Sequence, residues 1–271
     1  MSGRLVVCPT PIGNLEDVTL RVLRELGEAD LVLCEDTRRT RTLLDRHGIH
    51  AKLVSYHRHN EAKRVDELLP RLEEGERIAL ASDAGLPAVN DPGALLISAA
   101  IERGLEVTVL PGPSAVETAL VASGLVAERY SFVGFLPRRR EALDRLWEET
   151  ASWSGPVVAF ESPRRLPGSL RSLAEADPER PVAVCRELTK RFEEVARGSA
   201  REVAWRFKDE PKGEITLVLG AALGDGSSVP EDDALAAVVD LVEAGIPRRR
   251  AVDLVSRLSG IPRNKLYKGS L

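Results

Sequence analysis

The sequence predicts an α/β fold of two α/β domains followed by a small helical tail. Two observations carry this. Short β-branched apolar runs alternate with stretches of helical periodicity, the pattern of largely parallel strands covered by helices. A Gly/Ser/Pro stretch, GDGSSVP (224–230), then separates off a last segment with helical spacing alone. The boundaries that follow are 1–112, 113–224 and 225–271.

In chain order, strands are expected at RLVVC (4–8), LVLC (31–34), KLVSY (52–56), RIALA (77–81) and EVTVL (106–110), with helices near 17–27, 38–47, 60–74 and 92–103. PGPSAVETALVASG (111–124) bridges to a second set: SFVGF (131–135), PVVAF (156–160), PVAVC (181–185), FEEVARG (192–198) and EITLVLG (214–220). One short helix separates the last two runs, which allows them to pair antiparallel and makes this half more mixed. In the tail, Ala251, Leu254, Val255 and Leu258 recur at helical spacing, and IPRNKLY starts a last helix with proline near its N-terminus.

Composition narrows the classes of function. The 271 residues are 43% hydrophobic, enough for two modest domains with real cores. No apolar run approaches the roughly 18 residues of a membrane span, and MSGRLVVCPTP is too short an apolar stretch for a signal peptide, so a cytoplasmic chain is expected. Cys8, Cys34 and Cys185 are scattered, each ending a β-like run, which reads as buried structural cysteine rather than a disulfide or zinc pattern. Net charge is −4, but Gly245–Leu271 holds seven Arg or Lys against Asp253 alone. A basic end on an acidic body suggests a local polyanion contact.

Three loops fall where α/β sheets bind ligands, beyond the carboxyl ends of strands. They are CPTPIGN after the first strand, SDAGLPAVNDPG (82–93) after the fourth and LPGPSA after the fifth. Neither G-x-G-x-x-G nor G-x-x-x-x-G-K-[ST] is present, so classical dinucleotide and P-loop sites are disfavoured. Singly each loop reads as a tight turn. Three at one sheet edge, stiffened by proline, point to a ligand cleft.

TPIGN (10–14), CEDTRRT (34–40), SYHRHNE (55–61), SDAGLPAVNDPG (82–93), LPGPSA (110–115), GFLPR (134–138), FES (160–162) and RELTK (186–190) resemble, in order and spacing, the RsmI family. That family is a branch of the tetrapyrrole methylase-like, class III S-adenosylmethionine-dependent methyltransferases, and the resemblance spans essentially the whole chain. It departs at Leu86, where the family usually has a smaller polar residue. The resemblance implies a homodimer with S-adenosylmethionine in the cleft between two α/β domains. It also implies 2′-O-methylation of a cytidine ribose in the decoding region of small-subunit ribosomal RNA, with the RNA presented within the 30S subunit.

By similarity, Pro9, Thr10, Ser82, Asp83, Ala84, Gly85, Ser114, Ala115, Phe160, Glu161 and Ser162 surround the cofactor. Methyl transfer from a sulfonium is an in-line displacement that needs alignment and no metal. A neutral ribose hydroxyl is a poor nucleophile, so a base or a cation favouring the alkoxide is expected. Candidates are Glu35 and Asp36, His57, His59, Asn60 and Glu61, and Glu187 and Lys190.

Structural alternatives stand beside these. Asp36 or Thr37 serves equally well as a helix N-cap. His57 and His59 share a strand face but lack a third ligand, so a hydrogen-bonding role at an RNA or dimer surface is favoured over metal. Arg38, Arg39 and Arg41, and Arg138 to Arg140, are either solvated faces or phosphate clamps, and Arg249 in the basic tail is a further RNA candidate. The tail helices are either an RNA contact resembling a helix-turn-helix or a capping pair. Two rival readings are a methyltransferase of the same fold acting on tetrapyrroles or a modified histidine, and a non-catalytic RNA-binding assembly factor.

Overall fold

The computed structural model describes residues 3–222, 231–259 and 261–270. The expected linker 224–230, and with it the boundary at 224/225, lies outside the described residues. The first half runs β1 (Arg4–Cys8), α1 (Leu20–Glu28), β2 (Leu31–Cys34), α2 (Thr37–Arg46), β3 (Leu53–Ser55), α3 (Glu61–Glu73), β4 (Arg77–Ala81), α4 (Ala94–Glu102) and β5 (Glu106–Val109). All five strands are parallel, in the order β3-β2-β4-β1-β5.

Alternation along these strands feeds two cores, one on each face of the sheet. Leu5, Leu31, Leu33, Ile78 and Leu80 pack with Tyr56, Leu68, Leu72 and Leu96 of the α3/α4 side. Val6, Cys8, Val32, Ala79 and Ala81 pack with Val22, Leu26 and Leu44 of the α1/α2 side. Each large aliphatic side chain so buried contributes about 1.5–3 kcal/mol. Because both faces are covered, the edge at the carboxyl ends is the open flank, and the three Gly/Pro loops emerge there.

The second half runs α5 (Ala115–Ser123), β6 (Ser131–Phe135), α6 (Arg140–Ala151), β7 (Val157–Glu161), α7 (Leu166–Ala176), β8 (Pro181–Arg186), β9 (Glu194–Ser199), α8 (Ala200–Arg206) and β10 (Ile215–Leu219). Its sheet has the order β6-β7-β10-β8-β9, with only β6 and β7 parallel. The last two strands therefore do not pair with each other. β10 is buried along its whole length and takes the centre, whereas the half-polar β9 lies at an edge. Both flank β8 antiparallel.

One face of this sheet packs on α6, α7 and α8 through Trp147, Leu166, Leu170 and Val203. The other takes Val116, Ala119 and Leu120 of α5, together with Ile12 from the loop after β1. Arg180, 1% exposed, precedes β8 and binds the Gly220 carbonyl at 3.0 Å, the Thr150 hydroxyl at 3.1 Å and the Thr150 carbonyl at 3.2 Å.

The tail forms α9 (Glu231–Glu243), α10 (Arg248–Ser259) and α11 (Arg263–Gly269), the last opened by Pro262. Their core is Ala234, Val238, Ala251, Val252, Val255 and Leu266. Leu258, expected on the buried stripe, is 86% exposed; Ile261, beyond the helix end, packs against the cluster instead. Among the described residues, no helix is long and apolar enough to cross a membrane.

Candidate active site

A cleft of about 710 Å³ lies between the two sheets, and a smaller cavity of about 310 Å³ adjoins it, sharing Ile12, Arg39, Asp83, Ala84 and Glu214. The loops after β1 and β4 are laced together at its floor. Thr10 and Gly85 exchange backbone N–H···O bonds of 2.9 Å each, the Thr10 hydroxyl donates to the Ser82 carbonyl, and the Ser82 hydroxyl donates to the Gly85 carbonyl. Gly85 has φ +78°, a value that a side chain would strain.

The remainder of 82–93 is held against its own preference. Ala88 and Asn90 also have positive φ, +69° and +62°, sparsely populated for residues with a Cβ. The surroundings over-determine them. Ala88 N–H donates to the Pro92 carbonyl, and Arg58 donates to the Asn90 carbonyl. Glu61 accepts from the Gly93 amide at 2.8 Å and from the Tyr56 hydroxyl at 3.0 Å. Burial, then the neighbouring Glu61, pushes the Tyr56 phenol well above its ordinary pKa, so it stays a donor.

Glu61 is thus an anchor for the loop rather than a reactive acid. Asn60 is similarly employed: its side chain accepts from the His57 amide and donates to the Ser55 carbonyl, closing the turn into α3. His59 is exposed, its ring 5.9 Å from that of His57, and neither lines the cleft. Among the described residues, no three His, Cys, Asp or Glu side chains are gathered as a metal site requires.

Asp36 caps α2 by accepting the Arg38 amide. The Arg38 guanidinium and amide hold its carboxyl down at about 2, so it takes up no proton near neutrality. Asp36 in turn donates its backbone N–H to Asp83 at 2.9 Å, and Arg39 lies 3.6 Å from the same carboxylate. Asp83 and Arg39 face both cavities, whereas Glu35, Asp36 and the exposed Arg38 line neither.

From the second sheet come an aromatic wall and a second set of acids. The Phe160 ring meets those of Phe132 and Phe135 edge-on at 5.0 and 5.5 Å. Glu161 also borders the cleft, but its carboxylate is taken by the Ser162 amide, the Ser169 hydroxyl and Arg165. Ser114 and Ala115 sit at the start of α5, where the Ser114 and Tyr130 hydroxyls bind Glu117.

The RELTK segment closes the smaller cavity. Lys190 pairs with Glu187 at 2.8 Å and Glu214 at 3.0 Å. Burial disfavours its ammonium, but the two carboxylates outweigh this and raise its pKa, so Lys190 is a fixed cation and not a base. Gly13 is one of the points where the two halves touch: a Cβ there would lie 2.5 Å from Lys190 Cγ, 2.7 Å from Thr189 Oγ1 and 2.9 Å from the Leu188 carbonyl. Gly13→Ala is expected to force this contact apart and weaken cofactor binding about tenfold, checked by calorimetry at unchanged protein concentration.

Of the residues the sequence singles out, Asp83, Ala84, Gly85, Ser114, Ala115, Phe160 and Glu161 line the cleft, and Thr10, Ser82 and Lys190 line the smaller cavity. Pro9 lies behind them, against Gly112. Arg138 and Arg249 are exposed and line neither. Sequence reasoning missed Asp91, Glu117, Tyr130, Phe132 and Glu214 on the cleft wall. Asp91 stood inside a segment already marked as unusual; the others occupy ordinary strand and helix positions with no local signal.

Two α/β units with a cleft at the carboxyl edge of a parallel sheet define the tetrapyrrole methylase class, and residues 4–204 match the family model of tetrapyrrole (corrin/porphyrin) methylases. A Thermus thermophilus uroporphyrin-III C-methyltransferase solved with S-adenosyl homocysteine shares the fold, with a TM-score of 0.56 and 21% identity over 82% of this chain and 99% of that one. Closer in sequence is ribosomal RNA small subunit methyltransferase I. The protein of that name from Halalkalibacterium halodurans is 41% identical over 98% of this chain and 93% of its own, and that from Thermotoga maritima 45% identical over 80% and 98%. The chain belongs to the family of ribosomal RNA small subunit methyltransferase I.

Proposed function

We propose that this chain transfers a methyl group from S-adenosylmethionine to small-subunit ribosomal RNA, at the 2′-oxygen of a cytidine ribose in the decoding region. The observation that carries the reading is the cleft itself, in a chain of this family. Its volume of about 710 Å³ falls in the range of small-molecule and cofactor sites. The residues present fit the cofactor. The Phe132/Phe160 wall offers an apolar face for an adenine, and the backbone of Asp83–Gly85 and Pro111–Gly112 offers close polar contacts. Asp83 supplies negative charge beside them. The cofactor, when bound, supplies an electrophilic methyl group.

The chain's own work is then positioning and charge. The laced floor fixes one wall, the second sheet the other, and effective molarity does much of the rest. Lys190 and Arg39, both at the smaller cavity, supply the cations that an RNA phosphate or a developing alkoxide requires. Arg38, Arg138 and Arg249 are exposed for phosphate contacts, which position without reading sequence. Presentation of the acceptor by a folded 30S particle explains how a chain of net charge −4 suffices. The working unit is a homodimer in the cytoplasm.

The test is transfer from labelled S-adenosylmethionine to small ribosomal subunits lacking native modifications, and to the same RNA without protein. Resistance to alkaline cleavage maps the site. Label on a ribose 2′-oxygen, with particles preferred over free RNA, is expected; binding of the cofactor with no label on either RNA overturns the reading.

A further inference from the structure

We propose that Asp91 is the general base of this cleft, the group that takes the proton of the acceptor hydroxyl. The inference rests on the methyl-transfer reading above and adds the one role which that reading leaves unassigned.

Asp91 lies on the cleft wall in the loop after β4, just ahead of α4. Every other cleft-lining carboxylate is already engaged. Asp83 holds the Asp36 amide and Arg39, and Glu117 holds two hydroxyls. Glu161 holds Ser162, Ser169 and Arg165, and Glu214 holds Lys190. The remaining candidate, the Cys185 thiol, is pushed by burial up to about 11. Among the described residues, no ion pair or backbone amide engages Asp91; the Ser82 hydroxyl is its hydrogen-bonding neighbour, and the Arg58 charge acts on it more weakly than burial and the nearby acids do.

The groups facing it come from four places: Glu35 after β2, Asp83 in the same loop, Arg58 after β3, and the Ser82 hydroxyl at the end of β4. Burial and the two like charges dominate, and they raise the Asp91 carboxyl to about 6. A base of that strength is ionised at neutral pH and still accepts a proton in the transition state. The other candidates fail on this ground, since Asp36 is held too low and Lys190 stays charged.

The strained backbone explains why the acid stays where it is. Asn90, immediately before it, is left-handed, and its side chain fills the notch that Gly134 leaves in β6. Asp91 is thereby fixed between the two halves. During transfer, a new O–CH₃ bond forms as the S–CH₃ bond breaks and its electron pair returns to sulfur. The displaced hydroxyl proton passes to an Asp91 carboxylate oxygen and later to water.

The experiment compares wild type with Asp91→Asn and Asp91→Glu in three readouts: S-adenosylhomocysteine affinity by calorimetry, single-turnover transfer to small subunits against pH, and thermal melting against pH. Expected for Asp91→Asn is cofactor affinity within threefold, transfer lowered about 100-fold or more, and partial recovery with Asp91→Glu. Wild-type transfer should fall tenfold per unit below about pH 6. The folded-state pKa lies above the ordinary aspartate value, so folding favours the protonated acid and the ionised one opposes folding. Asp91→Asn should therefore melt higher than wild type at pH 8, with the gap closing toward pH 4.

Transfer by Asp91→Asn within threefold of an active wild type overturns this assignment alone. So does a loss of cofactor affinity that matches the loss of rate, which would make Asp91 a cofactor ligand, or a melting difference that does not change with pH. A wild type that transfers nothing at any pH overturns both the assignment and the reading beneath it.

Discussion

Arg180→Ala is expected to lower stability by about 3–5 kcal/mol. The guanidinium holds three oxygens that have no water to turn to, those of Gly220 and Thr150, and it is 1% exposed. Burial depresses its pKa from the ordinary arginine value, outweighing the charge of Asp177, and among the described residues no carboxylate forms an ion pair with it. The bonds it makes are to neutral acceptors, and it ties the end of α6 to the ends of β8 and β10. Removing it strands those acceptors and leaves a cavity. A fall in melting temperature of roughly 6–20 °C follows, with cofactor affinity unchanged at a temperature where the protein remains folded. A melting curve within 2 °C of wild type, about the shift of a single kcal/mol or less, would contradict this account.

Glu61→Ala is expected to damage the site without touching it. Glu61 Oε1 gathers the Gly93 amide, the Leu95 amide at 3.4 Å and the Tyr56 hydroxyl. Without it, the left-handed residues Ala88 and Asn90 lose the anchor that holds them, and the loop relaxes from the form that lines the cleft. Cofactor affinity should fall at least tenfold, about 1.4 kcal/mol, and stability by about 2 kcal/mol. Glu61→Gln keeps an accepting oxygen at the same place and should stay within threefold. Equal losses for both variants would mean that charge, not the acceptor, is what matters.

Most strands were legible because each is a short apolar run bounded by polar or turn-forming residues, and β1, β2 and β4 are buried on both faces, a pattern that needs no partner to be recognised. RLVVC, LVLC, RIALA and SFVGF coincide with β1, β2, β4 and β6. Strand neighbours were less so. FEEVARG and EITLVLG are adjacent in sequence, but only the second is apolar enough for a central position, and burial decided the order. Neither α6 nor α7 was expected from the sequence; α7 carries Pro167 and Gly168 near its start.

The site divides along the same line. Glycine and proline in the three loops announced a cleft, because their backbone constraints are local. Which acids react was not local. Glu61 and Asp36 are architecture in space: Asp36 takes the N-cap role that the sequence also allowed it, while Glu61 holds Tyr56 and the start of α4, which lie apart from it in sequence. Asp91 looks like a turn residue, and its proton affinity is raised by burial first and then by Glu35, far away along the chain, and Asp83.

The placement of β1 has a consequence for how the chain is made. It is made before either of its sheet neighbours, and it lies inside the sheet, hydrogen-bonded on one side to Arg77–Ala81 and on the other to Glu106–Val109. Neither neighbour exists when RLVVC leaves the ribosome. At roughly 5–20 residues per second, this apolar segment waits about 5–20 s for the second of them. The long loop closures required are themselves slow steps. The first half should therefore resist protease on a stalled ribosome only once β5 has emerged, making the growing chain a client for holding chaperones until then.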